Sequence, residues 1–239
     1  MKNEDLLGAR RGAREARPGG VATRVGAPAH QRYLLCKRVL DITLAGSALI
    51  ILSAPLLLIG LMVRLTSPGP ALFRQQRAGK GGRPFVMFKF RSMYHNQSDA
   101  PHRAAFKRVF DGFPVEDGSD RPAYKLRGDP RITPIGRFLR RTSLDEVPQL
   151  WNVVRGQMSL VGPRPAILYE VDLYRPEHMR RLDVLPGLTG LWQVQGRGHT
   201  SFEEMVALDC HYIATCSLRT DLTILARTMA VVLSGVGAG

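Results

Sequence analysis

Residues 42–63 read ITLAGSALIILSAPLLLIGLMV, and the architecture of this 239-residue chain depends on them. These 22 residues are uncharged and mostly apolar, and about 20 such residues suffice for a membrane helix. Pro55 stands inside the run, preceded by Ser53. Because proline lacks an N–H and its ring clashes with the preceding turn, a bend or break is expected there. Proline is also tolerated in ordinary membrane helices, so a single crossing stays open at this point.

The charges on both sides of the apolar run distinguish the two topologies. Residues 1–38 contain nine Lys or Arg against three Asp or Glu. The other flank is also basic, because seven basic residues precede its first acidic residue, Asp99. They are Arg64, Arg74, Arg77, Lys80, Arg83, Lys89 and Arg91. Since cytoplasmic flanks attract Lys and Arg, a single crossing would put one basic flank on the unfavourable side. We therefore favour a re-entrant membrane helix over residues 33–65, which enters and leaves by the same face.

The rest of the chain predicts an α+β, mainly helical fold. Residues 1–32 are rich in Arg, Gly, Ala and Pro and are expected to form a disordered basic arm. Residues 66–239 would form a small cytoplasmic catalytic domain, with a variable surface insert at about 97–128. Apolar stretches at 71–73 and 85–90 flank a glycine-rich turn and predict a β-hairpin. Helices are predicted from Ile135, with Thr133 as N-cap and Pro134 at the first position, and over residues 150–154, 166–174, 202–214 and 221–233.

Composition narrows the classes of partner. The 34 Lys and Arg against 20 Asp and Glu give a formal net charge of +14, which indicates nucleic acid, acidic lipid or phosphorylated substrates nearby. A nucleic-acid-binding module with interleaved aromatics is absent from the sequence, as are the dinucleotide, P-loop, HExxH and nucleophile-elbow motifs. The three cysteines show no metal or disulfide spacing, which is typical of a reducing cytoplasm.

The densest group of chemically useful residues is RRTSLDEVPQLWN, residues 140–152. Asp145 and Glu146 are adjacent carboxylates after a basic helix. Residues 143–146 also match a capping box, in which Glu146 would only satisfy backbone donors. A helix that starts at Asp145 instead would bring Pro148 into its first turn, where proline is tolerated. Either start puts Asp145 in a first helical turn, where partial positive charge keeps the carboxylate ionised and attracts phosphate.

Four basic residues are candidates for phosphate binding. Arg141 follows the amphipathic helix, and Arg164 is held between Pro163 and Pro165. The planar guanidinium suits bidentate phosphate recognition. Lys89 and Arg91 alternate with phenylalanines in KFRSM and are expected on one face of a strand. Solvated or lipid-facing arginines are the competing interpretation.

Taken in order, these segments resemble the bacterial sugar transferases of the monotopic phosphoglycosyl transferase family. The resemblance is carried by KRVLD at 37–41, the proline-interrupted run, KFRSM at 89–93, DPRITPIGRFLRRTSLDEVPQLWNV at 129–153, MSLVGPRP at 158–165, PGLTGLWQVQGR at 186–197, LDCHYI at 208–213 and SLRTDLTIL at 217–225. It leaves out the arm and the insert. LDCHYI and the size are most similar to exopolysaccharide undecaprenyl-phosphate galactose or glucose phosphotransferases.

The resemblance implies a reaction and its residues. Asp145 would attack the sugar-bearing phosphate of a UDP-sugar, release UMP and pass the phosphosugar to a polyprenyl phosphate. Mg²⁺ would bind Asp145, and Glu146 would be its partner carboxylate. Phosphate would be bound by Arg141 and Arg164, with Lys89 and Arg91 as further basic groups.

The resemblance also implies a location, at the cytoplasmic face of a bacterial inner membrane. The residues expected to form the membrane hairpin are Lys37, Arg38, Asp41, Ser53 and Pro55, and lipid is then a partner while nucleic acid is not. Two other functions stay open: a non-enzymatic, basic, membrane-anchored binding protein, and a hydrolase of lipid diphosphates that uses the same carboxylates.

Overall fold

The computed structural model of the chain describes residues 28–110, 129–195 and 201–234. Its helices are α1 (Pro28–Ile51), α2 (Ser53–Thr66), α3 (Ala100–Phe110), α4 (Pro134–Arg141), α5 (Gln149–Val154), α6 (Leu168–Val171), α7 (Leu191–Gln195), α8 (Phe202–Thr215) and α9 (Leu218–Ser234). Its strands are β1 (Leu72–Ala78), β2 (Pro84–Phe90), β3 (Ser159–Val161) and β4 (Gly187–Thr189). The expectation of a mainly helical α+β chain is confirmed. The predicted helix over residues 166–174 is shorter, and most of the arm, residues 1–27, lies outside the described residues.

The apolar run forms a bent pair of helices. Helices α1 and α2 meet at 64° across Leu52, and no single helix in the described ranges is long and apolar enough to cross a membrane. The break precedes Pro55 because a continuous helix would require the missing proline N–H to pair with the carbonyl of Ile51. Restarting at Ser53 brings Pro55 into a first turn, where no such bond is needed. The Ser53 hydroxyl donates to the carbonyl of Ile50 at 2.8 Å, which stabilises the bend.

Helix α1 starts earlier than expected and is anchored at three points. It begins at Pro28, so residues 28–32 are helical rather than part of a disordered arm. Lys37 pairs with buried Asp221 at 2.8 Å. Arg38 donates to two carbonyls at the end of α5, at 2.6 and 2.8 Å, and Asp41 accepts from the backbone N–H of Leu160 at 3.0 Å. The KRVLD segment therefore attaches the helix to the rest of the protein.

Large apolar side chains are exposed along the bent pair. They are Leu34, Leu35, Val39, Ile42, Leu44, Ile50, Ile51, Leu57, Leu58, Leu61, Met62 and Leu65. Exposed apolar surface on this scale marks contact with another apolar phase or partner.

The predicted β-hairpin is confirmed. Strands β1 and β2 pair antiparallel, with Leu72 opposite Phe90, and the turn between them uses Gly81 and Gly82 at φ values of +67° and +73°. One face contributes Met87 to a core that also contains Val153 from α5.

Two features of the fold were not predicted. Strands β3 and β4 pair in parallel, with Ser159 opposite Gly187; each has three residues, too few for an alternating pattern to show. The first part of the insert is helix α3, whose Phe106 is only 5% exposed and packs edge-on against Phe202. The insert is therefore integrated into the fold over residues 100–110, whereas residues 111–128 lie outside the described residues.

Candidate active site

The adjacent carboxylates lie in a short 3₁₀ turn, Leu144–Glu146, between α4 and α5. Helix α4 begins as predicted, because the Thr133 side chain accepts from the N–H of Gly136 at 3.0 Å. It ends at Arg141, and Ser143, which precedes the 3₁₀ turn, has a left-handed φ of +57° and a side chain that caps nothing. The capping box is therefore wrong, and so is an α-helix that starts at Asp145.

Glu146 is held by Lys89. The Nζ of Lys89 lies 2.7 Å from Oε1 of Glu146, which joins β2 to the 3₁₀ turn. Asp145 beside it is 8% exposed. The ion pair fixes Glu146 next to Asp145, and Asp145 is enclosed by the protein.

Asn152 sets the spacing between the strand and the turn. Its Oδ1 accepts from the N–H of Phe88 at 3.1 Å, and its Nδ2 donates to the carbonyl of Val86 at 2.7 Å. The Asn152 side chain thus pairs with the backbone of β2 as a neighbouring strand would, and it is fully buried. Because Asn152 belongs to α5, the helix after the carboxylates is held in register with the strand that carries Lys89.

Arg140 is a site residue that was not identified from sequence. Its Nε donates to the hydroxyl of Ser92 at 2.9 Å. Burial lowers the pKa of its guanidinium, and the negative charge of Asp145 acts in the opposite direction. Its neighbour Arg141 is exposed and makes no hydrogen bond or ion pair within the described ranges. The helical period of α4 could have identified Arg140, because it follows the buried Gly136 by four residues and therefore lies on the same face of the helix.

Arg77 is the second group that was missed. Its Nη1 donates to the carbonyl of Pro165 at 2.9 Å, while Nε and Nη2 donate to Gln75 at 3.0 and 2.6 Å. Burial lowers its pKa to about 10; the positive charge of Arg164 acts in the same direction, and Glu146 acts against it. Arg77 therefore joins strand β1 to the loop that contains Arg164.

Arg164 is half-buried at the centre of this loop, and it makes no hydrogen bond or ion pair with the described residues. The positive charge of Arg164 helps to lower the pKa of Arg77. A guanidinium with unused donors beside a second cation, Arg77, is well placed to bind an anion. The proposed phosphate-binding role of Arg164 is compatible with this arrangement.

Arg91 is placed elsewhere than expected. Its guanidinium donates to the carbonyls of Val63, Ser67 and Pro68 at the end of α2, and the residue is 3% exposed. Carbonyls at the end of a helix lack intrahelical N–H donors, so Arg91 acts as a helix cap. Both of its Nη groups donate to backbone carbonyls, while its Nε is buried without a hydrogen-bond partner among the described residues. The structure does not bring Arg91 to the carboxylates as a phosphate ligand.

The site combines a buried carboxylate with cations from four segments. Lys89 pairs with Glu146, the charge of Arg140 interacts with those of Asp145 and Glu146, and the charge of Arg77 interacts with those of Glu146 and Arg164. Such an arrangement can stabilise negative charge that develops on a phosphate while a carboxylate attacks it. A group of three or more His, Cys, Asp or Glu able to hold a metal is absent from the described residues. Any cation here would bind the acidic pair and oxygens of a ligand.

A family model described as bacterial sugar transferase matches residues 32–235. The chain is 42% identical over 207 residues to galactosyl transferase CpsE of Streptococcus agalactiae. It is 45% identical over 227 residues to UDP-glucose:undecaprenyl-phosphate glucose-1-phosphate transferase of Caulobacter vibrioides. It is 39% identical over 204 residues to exopolysaccharide production protein ExoY of Sinorhizobium fredii.

These alignments cover most of this chain but different shares of the relatives. They include 86%, 91% and 85% of the chain in the same order. The chain spans 44% of the length of the streptococcal protein, 75% of the Caulobacter protein and 88% of the Sinorhizobium protein. The shared region contains the bent helices, the carboxylates and the surrounding cations.

Proposed function

The chain belongs to the bacterial sugar transferase family, and we propose that it transfers a sugar-1-phosphate from a UDP-sugar to polyprenyl (undecaprenyl) phosphate. The reaction would be the first membrane step of exopolysaccharide synthesis. The names of relatives support the substrate class, since they specify transfer from UDP-glucose and onto undecaprenyl phosphate. The observation that carries the proposal is the buried Asp145 beside the Lys89–Glu146 ion pair.

The first half-reaction uses Asp145 as nucleophile. A carboxylate oxygen attacks the sugar-bearing phosphorus, the phosphoanhydride bond breaks, and UMP leaves with the bonding electron pair. Asp145 then holds the phosphosugar as an acyl phosphate. Arg140 is close enough to Asp145 for their charges to interact. Arg164 and Arg77 offset the negative charge of the diphosphate.

In the second half-reaction a phosphate oxygen of the polyprenyl phosphate attacks the same phosphorus. The bond to Asp145 breaks, the carboxylate is regenerated, and a polyprenyl diphosphosugar leaves. Both nucleophiles are anions, so neither step requires a general base. Covalent catalysis makes the reaction easier because it splits one difficult displacement into two easier ones. Glu146, held by Lys89, is then a positioning residue and a source of local charge rather than a proton acceptor.

Mg²⁺ fits the donor set of the acidic pair. Magnesium is bound in proteins by one or two carboxylates together with substrate phosphates, without a full protein cage. Asp145, with Glu146 adjacent, provides the carboxylates. The bound ion would neutralise charge on the diphosphate.

The bent helices would bring this site to the lipid. Lipid-facing side chains on α1 and α2, with basic residues on both flanks, suit a hairpin inserted from the cytoplasmic face of the bacterial inner membrane. The anchors at Lys37, Arg38 and Asp41 connect the hairpin to the segments around the carboxylates. A lipid phosphate could then reach Asp145 without leaving the headgroup layer.

The test is UMP release from UDP-glucose and UDP-galactose by the protein in nanodiscs, with Mg²⁺ and polyprenyl phosphate. Asp145→Asn should abolish turnover and the phosphohexose adduct seen by intact-protein mass spectrometry. Asp183→Asn, an exposed matched control, should retain both. Turnover in Asp145→Asn would reassign the nucleophile, whereas no UMP release by the original protein from either donor would support a non-enzymatic binding protein. Without lipid acceptor, UMP release should stop near one equivalent, whereas continuous release would indicate a hydrolase.

A further inference from the structure

A buried polar side chain next to the acidic pair has no partner in the protein and no role in the proposed reaction. Gln149 is the first residue of α5 and is only 3% exposed. Its carboxamide makes no hydrogen bond to the residues that the structure describes. Burying an amide without a partner is unfavourable. The unused donors and acceptor of Gln149 therefore indicate that a ligand supplies the missing partner.

The backbone places Gln149 beside the carboxylates. Val147 and Pro148, which connect the 3₁₀ turn to α5, both have right-handed helical backbone angles. The N–H groups of Val147 and Leu150 donate to the carbonyls three residues before them, at 3.3 and 3.0 Å. Residues three apart in such a run are neighbours on one face, with Cβ atoms about 5–6 Å apart. Gln149 therefore lies next to Glu146.

The residues on both sides of Gln149 show which way this face points. Glu146, three residues earlier, pairs with Lys89 of β2. Asn152, three residues later, hydrogen-bonds to the backbone of β2. The side chain of Glu146 is 37% exposed, whereas Asn152 is fully buried. Gln149 therefore lies on the face toward β2, between an ion pair that solvent reaches and a closed polar contact in the core.

A carboxamide at this position is suited to a phosphate oxygen. A phosphate that is attacked by Asp145 must lie in contact with that carboxylate and hence near Glu146 and its neighbours on the same turn. The Nε2 group of a glutamine offers two donors without a charge, so it can be buried at a lower cost than an ammonium or a guanidinium. Donors that are already aimed at oxygens on which charge develops lower the barrier of the reaction.

We propose that Gln149 donates a hydrogen bond from Nε2 to a non-bridging oxygen of the sugar-bearing phosphate, the group that Asp145 attacks. The inference rests on the proposed function and adds an uncharged donor to its phosphate-binding groups. The hydrogen bond strengthens in the transition state, in which negative charge is spread over these oxygens. Gln149 thus touches the reacting group and is a catalytic residue, whereas Asn152 only positions the helix.

The first measurement is UMP release by the full chain in nanodiscs, with Mg²⁺, polyprenyl phosphate and UDP-glucose or UDP-galactose. Gln149→Met keeps the length of the side chain but removes the donor, so kcat/KM should fall about 100-fold. Its midpoint of denaturant unfolding should be unchanged or higher, because no hydrogen bond within the protein is lost. Gln97→Met, the same change at an exposed glutamine, should alter neither quantity.

The second measurement is binding without turnover. Asp145→Asn, alone and combined with Gln149→Met, is titrated with UMP and with both UDP-hexoses. Loss of the donor should weaken the binding of the UDP-hexoses several-fold and leave UMP unchanged, because UMP lacks the sugar-bearing phosphate. Gln149→Asn keeps the amide but withdraws it by one methylene. It should show the same selective loss, and it does not require methionine to pack at this position.

Unchanged UMP release in Gln149→Met would overturn the inference and leave the transferase reaction standing. So would a lower unfolding midpoint together with equal losses of UMP and UDP-hexose binding, since the amide would then support the fold and not the phosphate. A selective loss of UDP-hexose binding in a chain that never releases UMP would do the reverse. It would overturn the transferase reaction and leave the phosphate contact standing.

Discussion

Lys89 and Glu146 are 57 residues apart in the sequence, and their charged groups are 2.7 Å apart in the structure. The pair joins strand β2 to the turn that carries Asp145. It is partly accessible, with side-chain exposures of 20% and 37%, so its value lies in orientation more than in stability.

The pair should behave as one unit in catalysis. Lys89→Met and Glu146→Gln should each lower kcat for UMP release by about 100-fold, since each releases the other charge from its position. The double variant should lose little more than either single variant. Steady-state kinetics of the four proteins measure this coupling. Losses that multiply in the double variant would show that the two residues act independently.

Asp221 is expected to be a main anchor of the hairpin. It is 1% exposed and accepts from Tyr33 at 3.0 Å, Lys37 at 2.8 Å and Tyr212 at 2.7 Å. Asp221→Asn leaves a buried ammonium without its counter-charge, so it should cost about 3–5 kcal/mol of unfolding free energy. Denaturant unfolding in detergent is the measurement. Asp99→Asn, which removes only an exposed ion pair, should cost less than about 1 kcal/mol, and an equal effect would contradict the anchor.

Asp209 should make stability depend on pH. Burial raises its pKa to about 6, and Arg181 opposes this rise. Its unfolded pKa is about 4, so between about pH 4 and 6 the folded state binds more protons than the unfolded state. The contribution of Asp209 therefore falls as pH rises through this window and is constant above it. The stability difference between the original protein and Asp209→Asn should change across pH 4–6, and a flat difference would refute the raised pKa.

UMP release should require a small divalent cation. Chelation with EDTA should abolish it, and added Mg²⁺ should restore it. Ca²⁺ should restore it poorly, because it prefers six to eight oxygen ligands and two adjacent carboxylates with a diphosphate suit Mg²⁺. Full turnover in EDTA would mean that Lys89 and the arginines are sufficient to neutralise the diphosphate.

Both flanks of the bent helices should face the cytoplasm. Single cysteines from Gln31→Cys and Arg74→Cys, in a chain whose three native cysteines are replaced by serine, should resist a membrane-impermeant maleimide in intact cells. Both should react after permeabilisation. Labelling of position 31 in intact cells would restore the single span.

Local features of the fold were predictable because their causes are local. Pro55 predicts a bend through its own missing N–H, and Thr133 predicts the start of α4 through a cap three residues away. The hairpin follows from two apolar stretches and a glycine-rich turn. In each case the relevant residues are a few positions apart.

The composition of the site depended on distant contacts and was predicted only in part. The carboxylates, Lys89 and Arg164 were predicted as site residues, whereas Arg77 and Arg140, whose charges interact with those of the carboxylates, were not among the candidates. Arg91 is basic like Lys89 and lies only two residues from it in the sequence. Its guanidinium nevertheless caps α2, where it contacts the carbonyl of Val63, 28 residues earlier in the chain. A pattern in sequence gives the type of residue, whereas its partner depends on how the elements pack.

The three anchors of KRVLD have a practical consequence for protein engineering. Deleting the bent helices to obtain a detergent-free fragment would remove Lys37, Arg38 and Asp41 together. Asp221 would then lose its ion pair with Lys37, the last carbonyls of α5 would lose Arg38, and the N–H of Leu160 would lose Asp41. Detergent-free versions should therefore be obtained by replacing the exposed apolar residues of α1 and α2 with polar ones, and not by truncating the chain.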